Sequence, residues 1–178
     1  MKTHNFRTLL VTFGLALASA AAADAPRADS RVQIDWTPPA DFSEAKTYQG
    51  TGLGREAPDE WLGDLANHLR YRAERVLPQG EHLHVTFTNV QLAGTYEPWR
   101  GPRWDDVRVI KNIYPPRIDL IFTLTDANGA TVKEGERQLR DPAFMQRGTP
   151  NENDPLRFEK RMLDDWLRSE FRDAHGNS

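Results

Sequence analysis

Ile118-Asp119-Leu120-Ile121-Phe122-Thr123-Leu124-Thr125-Asp126-Ala127-Asn128-Gly129 is the stretch that decides the fold class. Ile118, Leu120, Phe122 and Leu124 recur at every second position, the period of one face of a β-strand. Asn128-Gly129 is a strong signal for a tight hairpin turn, because both residues tolerate the positive φ angles it demands. The return strand, about Thr131–Leu139, carries Lys133, Glu134, Glu136 and Arg137. That charge density suits an edge strand or a solvated sheet face.

Upstream, Val32, Ile34 and Trp36 alternate with polar residues and predict a strand that Pro38-Pro39 ends. From Asp41 to Pro58 no period is visible, and a loop is expected. Pro58-Asp59-Glu60 opens a helix, since proline fits its first turn and acids favour the positive end of its dipole. Leu62, Leu65, Leu69, Ala73 and Val76 form a stripe at helical spacing, widened by Trp61 and Ala66, before Pro78 and Gly80 stop it. Leu83, Val85 and Phe87 predict a second strand. Its alternation slips between Thr88 and Val90, the signature of a bulge or strand end. Val107, Val109 and Ile110 suggest a short strand that Tyr114-Pro115-Pro116 breaks. Residues 141–153 read as loop. Asn153 or Asp154 can cap a last helix with Pro155 in its first turn, and Leu156, Leu163, Trp166, Leu167 and Phe171 form its apolar side. The expected order is β-α-β-(β)-β-β-α. It implies an α+β domain: a mostly antiparallel sheet of about four to five strands with two amphipathic helices on one face.

Lys2 and Arg7 precede an uncharged run from Thr8 to Ala23, apolar at its centre and small-residue-rich from Ala18 onward. Basic, apolar, then small is the order of a cleaved secretory signal peptide, here 1–23, and the apolar run is shorter than the roughly 20 residues of a bilayer span. A disordered lead-in over 24–30, a single domain over 31–173 and a flexible tail over 174–178 would follow. The chain contains no cysteine, which excludes disulfides, thiol chemistry and lipid anchoring at a cleavage-site cysteine. Past the leader, 21 basic and 26 acidic residues leave a net charge of −5, which gives no bulk attraction to nucleic acid. The expected location is the periplasm, or outside the cell.

A set of scattered stretches resembles a known family. These are Trp61 to His68, Leu77-Pro78-Gln79-Gly80, Leu92-Ala93-Gly94, Glu97-Pro98-Trp99, Tyr114-Pro115-Pro116-Arg117-Ile118, Gly135, Leu139-Arg140-Asp141, and Glu159-Lys160-Arg161 before Trp166. Together the chain resembles a family of small exported proteobacterial proteins known only as a domain of unknown function. The resemblance spans nearly all of the chain after the leader. It implies location and domain extent, and carries no activity, ligand or site residue. Gln91 stands where the family pattern has an acid before Leu-Ala-Gly, which argues against a cation role there.

Several constellations bear on chemistry. His82 and His84 share one strand face and form a weak candidate metal pair, with no third ligand named by the sequence and solvent exposure as the simpler reading. His68, beside Leu69, reads as a boundary residue, and His175 falls in the tail. Only Ser30, Ser43, Ser169 and Ser178 follow the leader, and none sits in a Gly-x-Ser-x-Gly elbow. The paired acids Asp105-Asp106 and Asp164-Asp165 diverge on either a strand or a helix and form no sharp dyad. Glu97 with Asp119 would be the pair for glycoside hydrolysis. Gly50, Gly52 and Gly54 lack the Lys-Ser/Thr and helix that a phosphate loop needs. Tyr96-Glu97-Pro98-Trp99-Arg100-Gly101-Pro102-Arg103-Trp104 is the most suggestive segment. Aromatic faces among guanidinium donors suit sugars, peptides or anionic polymers. The competing expectation is that both tryptophans fold back onto the core and the arginines pair with Asp105 and Asp106. Arg140-Asp141 reads as an ion pair that locks a loop.

These readings converge on a non-enzymatic binding or envelope-assembly domain without a cofactor. Its expected contact residues are Tyr96, Trp99, Arg100, Arg103 and Trp104, and its expected partner is an envelope protein or glycan. The alternative is a hydrolase acting on an envelope glycan or peptide, using Glu97, Asp119 or the His82/His84 pair.

Overall fold

The computed structural model describes residues 30–48 and 58–171. The predicted leader, the lead-in through residue 29, Gly50, Gly52, Gly54 and the tail with His175 lie outside the described residues.

Four strands form the main sheet: β1 (Val32–Trp36), β2 (His82–Gln91), β5 (Arg117–Thr125) and β6 (Thr131–Arg140), in the order β1-β2-β5-β6. Two short strands, β3 (Thr95–Tyr96) and β4 (Arg108–Val109), make a separate ribbon. The helices are α1 (Ser43–Tyr48), α2 (Pro58–Val76) and α3 (Arg157–Phe171). β1 runs parallel to β2 and every other pair is antiparallel. A parallel pair needs a long crossover, which the stretch containing α1 and α2 supplies.

The predicted hairpin forms as β5 and β6, turning on Gly129 at φ +83°. Asp126 helps to fix the turn by accepting the N–H groups of Asn128 and Ala130 at 2.8 and 2.9 Å. β6 is an edge strand, as its charges imply. The slip in β2 is a register shift between Phe87 and Asn89, which returns Val90 to the core.

α2 buries Trp61, Leu62, Leu65, Ala66, Leu69 and Ala73. Val76, placed on the stripe by its spacing, is only half-buried. α3 begins two residues after Pro155. The carboxylate of Asp154 accepts the Leu156 N–H at 2.8 Å and pairs with Lys160 at 2.7 Å. One apolar cluster joins both helices to the inner sheet face, and Phe122, Trp166 and Phe171 meet edge-to-face within it at 5.5–5.9 Å. A smaller cluster of Ala93, Phe144 and Phe158 lies apart from it.

Three details depart from the sequence reading. The expected loop after Asp41 contains α1, so Ser43 starts a helix. Its cause is tertiary: the Ser43 N–H donates to Asn89 Oδ1 at 2.7 Å, and Phe42 is wholly buried beside it. The short strand expected over Val107–Ile110 is confined to Arg108–Val109. The 141–153 loop holds one 3-10 turn, Phe144–Gln146, around the buried Phe144 ring. Among the described residues, no helix is long and apolar enough to cross a membrane.

Candidate functional site

The long connection between β3 and β4 carries Trp99, the most exposed large apolar side chain among the described residues. Its position is set where β2 ends. Three successive backbone N–H groups are captured there by two helices and a loop. Leu92 donates to Glu44 Oε2 of α1 at 3.0 Å, Ala93 to Glu159 Oε1 of α3 at 2.6 Å, and Gly94 to the Tyr114 carbonyl at 3.0 Å. Gly94 has φ +86°, and a Cβ there would lie 2.7 Å from the Val109 carbonyl oxygen. Only glycine fits, because the obstacle is backbone.

The β3–β4 ribbon then forms a stem. Tyr96 is buried in it, edge-to-face with Tyr48 at 5.1 Å and under the Arg108 guanidinium at 4.8 Å. Arg108 also pairs with Glu44, tying the stem to α1.

Glu97 closes the base of the loop. It is 1% exposed; its Oε1 accepts hydrogen bonds from Lys111 Nζ at 2.5 Å and the Tyr114 hydroxyl at 3.2 Å, and Arg100 Nε forms an ion pair with Oε2 at 2.8 Å. The hydrogen bond from Lys111, seconded by the nearby cations and opposed by burial, holds this carboxyl below its ordinary 4.5. Beyond Glu97 the chain makes two successive 3-10 turns, Pro98–Arg100 and Pro102–Trp104, each opened by a proline of fixed φ. Gly101 joins them at φ +106°.

This frame displays Trp99, which is 72% exposed, together with the less exposed Trp104 and with Val107 and Ile113. The expectation that both tryptophans fold back onto the core is not met at Trp99. Arg100 does not pair with Asp105 or Asp106, as one expectation had it. It pairs with Glu97 and lays its guanidinium over the Trp104 ring at 4.7 Å. Arg103 is exposed and has no ion pair among the described residues. Of the five residues proposed from sequence, four therefore sit on the outer loop and Tyr96 belongs to its stem.

The other candidates lie elsewhere. His82 and His84 point from the outer face of β2 into a shallow cavity of about 310 Å3, lined also by Arg31, Gln33, Thr123 and Thr125. The His84 imidazole meets the Asp35 carboxylate at 2.8 Å. No group of three histidines and acids able to hold a metal exists among the described residues. Asp119 accepts from Asn89 at 3.1 Å and pairs with Arg140 at 2.7 Å, so it shares no partner with Glu97. Asp164 joins α3 to α2 through His68 at 2.9 Å and Arg72 at 3.0 Å, while Asp165 turns to Arg147 at 2.6 Å. Asp141 pairs with Arg161 and Arg147 rather than with its neighbour Arg140.

Glu44, Lys111 and Glu159 escaped the sequence reading as parts of the site. Glu159 is fully buried, with one donor for its two oxygens, and burial raises its pKa to about 7. The arrangement as a whole offers an aromatic plane and guanidinium donors outward, while Glu44, Glu97 and Glu159 are buried beneath them and Asp105 and Asp106 follow on the outer loop.

Fold and site together define an α+β domain that holds one aromatic loop outward on a braced two-stranded stem. Residues 30–169 match the family model described as Protein of unknown function (DUF3016), and the chain belongs to that family. Among curated proteins, none matches it. Four of the stretches that carried the resemblance, those with Leu92-Ala93-Gly94, Glu97, Tyr114 and Glu159, meet around this stem.

Proposed function

We propose that this chain is an exported, soluble binding domain of the cell envelope, with Trp99, Arg100, Arg103 and Trp104 as its contact surface. The observation that supports this reading is the 72% exposure of Trp99 on a loop anchored by a buried glutamate. Exposing a large aromatic forgoes its burial, worth about 1.5–3 kcal/mol for a large apolar side chain. The polar partners of Glu97 brace the loop that carries this ring, and a pre-organised loop lowers the entropy cost of binding. Export is supported by the basic, apolar and small-residue order of residues 1–23.

A photo-crosslinking amino acid at position 99, expressed in cells, tests the reading. Position 71 is the control, because Tyr71 is also exposed but lies on α2. Adducts specific to position 99 are expected. Absence of adducts at 99, or the same adducts from both positions, would overturn the proposal.

A further inference from the structure

We infer that the ligand of this surface is an acidic polysaccharide, with one sugar ring flat on Trp99 and its carboxylate at Arg103. This rests on the reading of the loop as the contact surface and specifies its chemistry. Three observations carry it.

The first is which aromatic face is free. Arg100 covers one face of the Trp104 ring at 4.7 Å, whereas Trp99 has neither a ring nor a cation packed on it among the described residues. A single open indole plane matches the flat, C–H-lined face of a pyranose ring. A groove for proline-rich peptide needs facing aromatic walls, and Arg100 occupies one face of the second ring.

The second is which cation is free. Arg100 and Lys111 are held by Glu97, and Arg108 by Glu44. Arg103, in the 3-10 turn that follows the one bearing Trp99, has no ion pair among the described residues. Its planar fork pairs with a carboxylate in two-pronged geometry. A neutral sugar would leave it idle.

The third is net charge. Past its leader the chain carries −5, and Asp105 and Asp106 follow Trp104 directly. Net charge therefore adds no long-range attraction to any polyanion, a uronic acid polymer included, and a polyanion without a ring to stack has nothing else to offer. Recognition has to be short-range, one carboxylate at one guanidinium beside one stacked ring. A uronic acid polymer supplies that pairing once per sugar.

The test is affinity electrophoresis and tryptophan fluorescence titration of the purified protein with three probes: polygalacturonate, its methyl-esterified form, and polyphosphate. Polygalacturonate is expected to bind, with the ester weaker by about fivefold or more for loss of a charge-assisted pair and polyphosphate inert. Trp99→Ala should weaken binding by about tenfold or more, and Trp99→Phe by less. Arg103→Gln should erase the difference between acid and ester. Melting curves of all three variants should match the parent, since both side chains lie in solvent. Equal binding of polyphosphate, equal binding of the ester, or an unaltered Trp99→Ala variant would overturn the inference. So would failure to bind any probe. In that last case, crosslinks from position 99 would show that the surface is used by another ligand, and their absence would end both readings.

Discussion

Glu170 of α3 takes both arms of the Arg137 guanidinium, Nε and Nη2, at 2.8 Å each. Arg137 reaches it from the core side of the edge strand β6, with its guanidinium 5.1 Å from the centre of the Phe122 ring. Lys133 adds a second contact to the same carboxylate at 2.9 Å. Charges that face inward on an edge strand discourage another chain from pairing with it. Here they also roof the core.

Gly135 makes room for that fork. A Cβ at 135 would lie 2.6 Å from Arg137 Nη1. Gly135→Ala should therefore push the guanidinium off Glu170 and lower stability by about 1 kcal/mol, the scale of a partly exposed ion pair plus a cation–π contact. In an Arg137→Ala background the same change should be neutral or slightly stabilising, since alanine suits a strand better than glycine. Urea denaturation of the four proteins of this double-mutant cycle measures the coupling. Additive effects would contradict this account.

Arg161 is the second place where a planar fork is needed. It is buried, and donates to the Phe144 carbonyl at 2.6 Å, the Arg147 carbonyl at 2.5 Å, the Gly148 carbonyl at 3.1 Å and Asp141 Oδ2 at 3.1 Å. A lysine ammonium keeps the charge but cannot span these acceptors from one nitrogen. Arg161→Lys should cost about 2–3 kcal/mol, the price of leaving two buried acceptors unpaired. Chemical denaturation measures it, and protease sensitivity within 141–153 should rise in parallel.

The parts of this fold that the sequence made legible are local. The β5–β6 hairpin follows from a period-two face and Asn128-Gly129, and α2 from one apolar stripe behind Pro58. α1 was invisible because its reasons are distant. Glu44 serves an N–H group 48 residues on and a guanidinium 64 residues on. The outer loop was legible as composition, since tryptophan and arginine among prolines and glycines are unusual. Its bracing was not. Glu97 reads as a possible catalytic acid until Lys111 and Tyr114, 14 and 17 residues later, are seen to enclose it. Only the closing of the β3–β4 ribbon brings them together.

Glu97→Gln tests that bracing directly. The amide keeps the shape but removes the charge that Lys111 and Arg100 share. Both cations are more than a third exposed, so the loss should be about 1–2 kcal/mol rather than that of a fully buried pair. The specific readout is limited trypsin digestion. Cleavage after Arg100 and Arg103 should accelerate in Glu97→Gln and stay at the parental rate in Trp99→Ala, whose ring braces nothing. Equal cleavage in both variants would mean that Glu97 does not order the loop.

Glu159 makes the domain's stability depend on pH in an uncommon direction. Burial raises its folded-state pKa from 4.5 to about 7; the Ala93 N–H and Arg108 oppose the shift, and Glu44 adds to it. Between these two values the folded chain binds a proton that the unfolded chain has lost. Stability from this group is therefore full below about 4.5, falls as pH rises toward about 7, and is absent above it. The shift corresponds to about 3 kcal/mol at most. Carboxylates with lowered pKa values, Glu97, Asp126, Asp154, Asp164 and Glu170, act the opposite way and below their ordinary range. The two windows do not overlap, so a comparison isolates Glu159. Glu159→Gln can still accept the Ala93 N–H and carries no charge to desolvate. It should match the parent near pH 4.5, exceed it in melting temperature by pH 8, and show a flatter profile between them. A parent chain whose stability does not fall relative to Glu159→Gln across that range would mean that the buried carboxylate is ionised throughout.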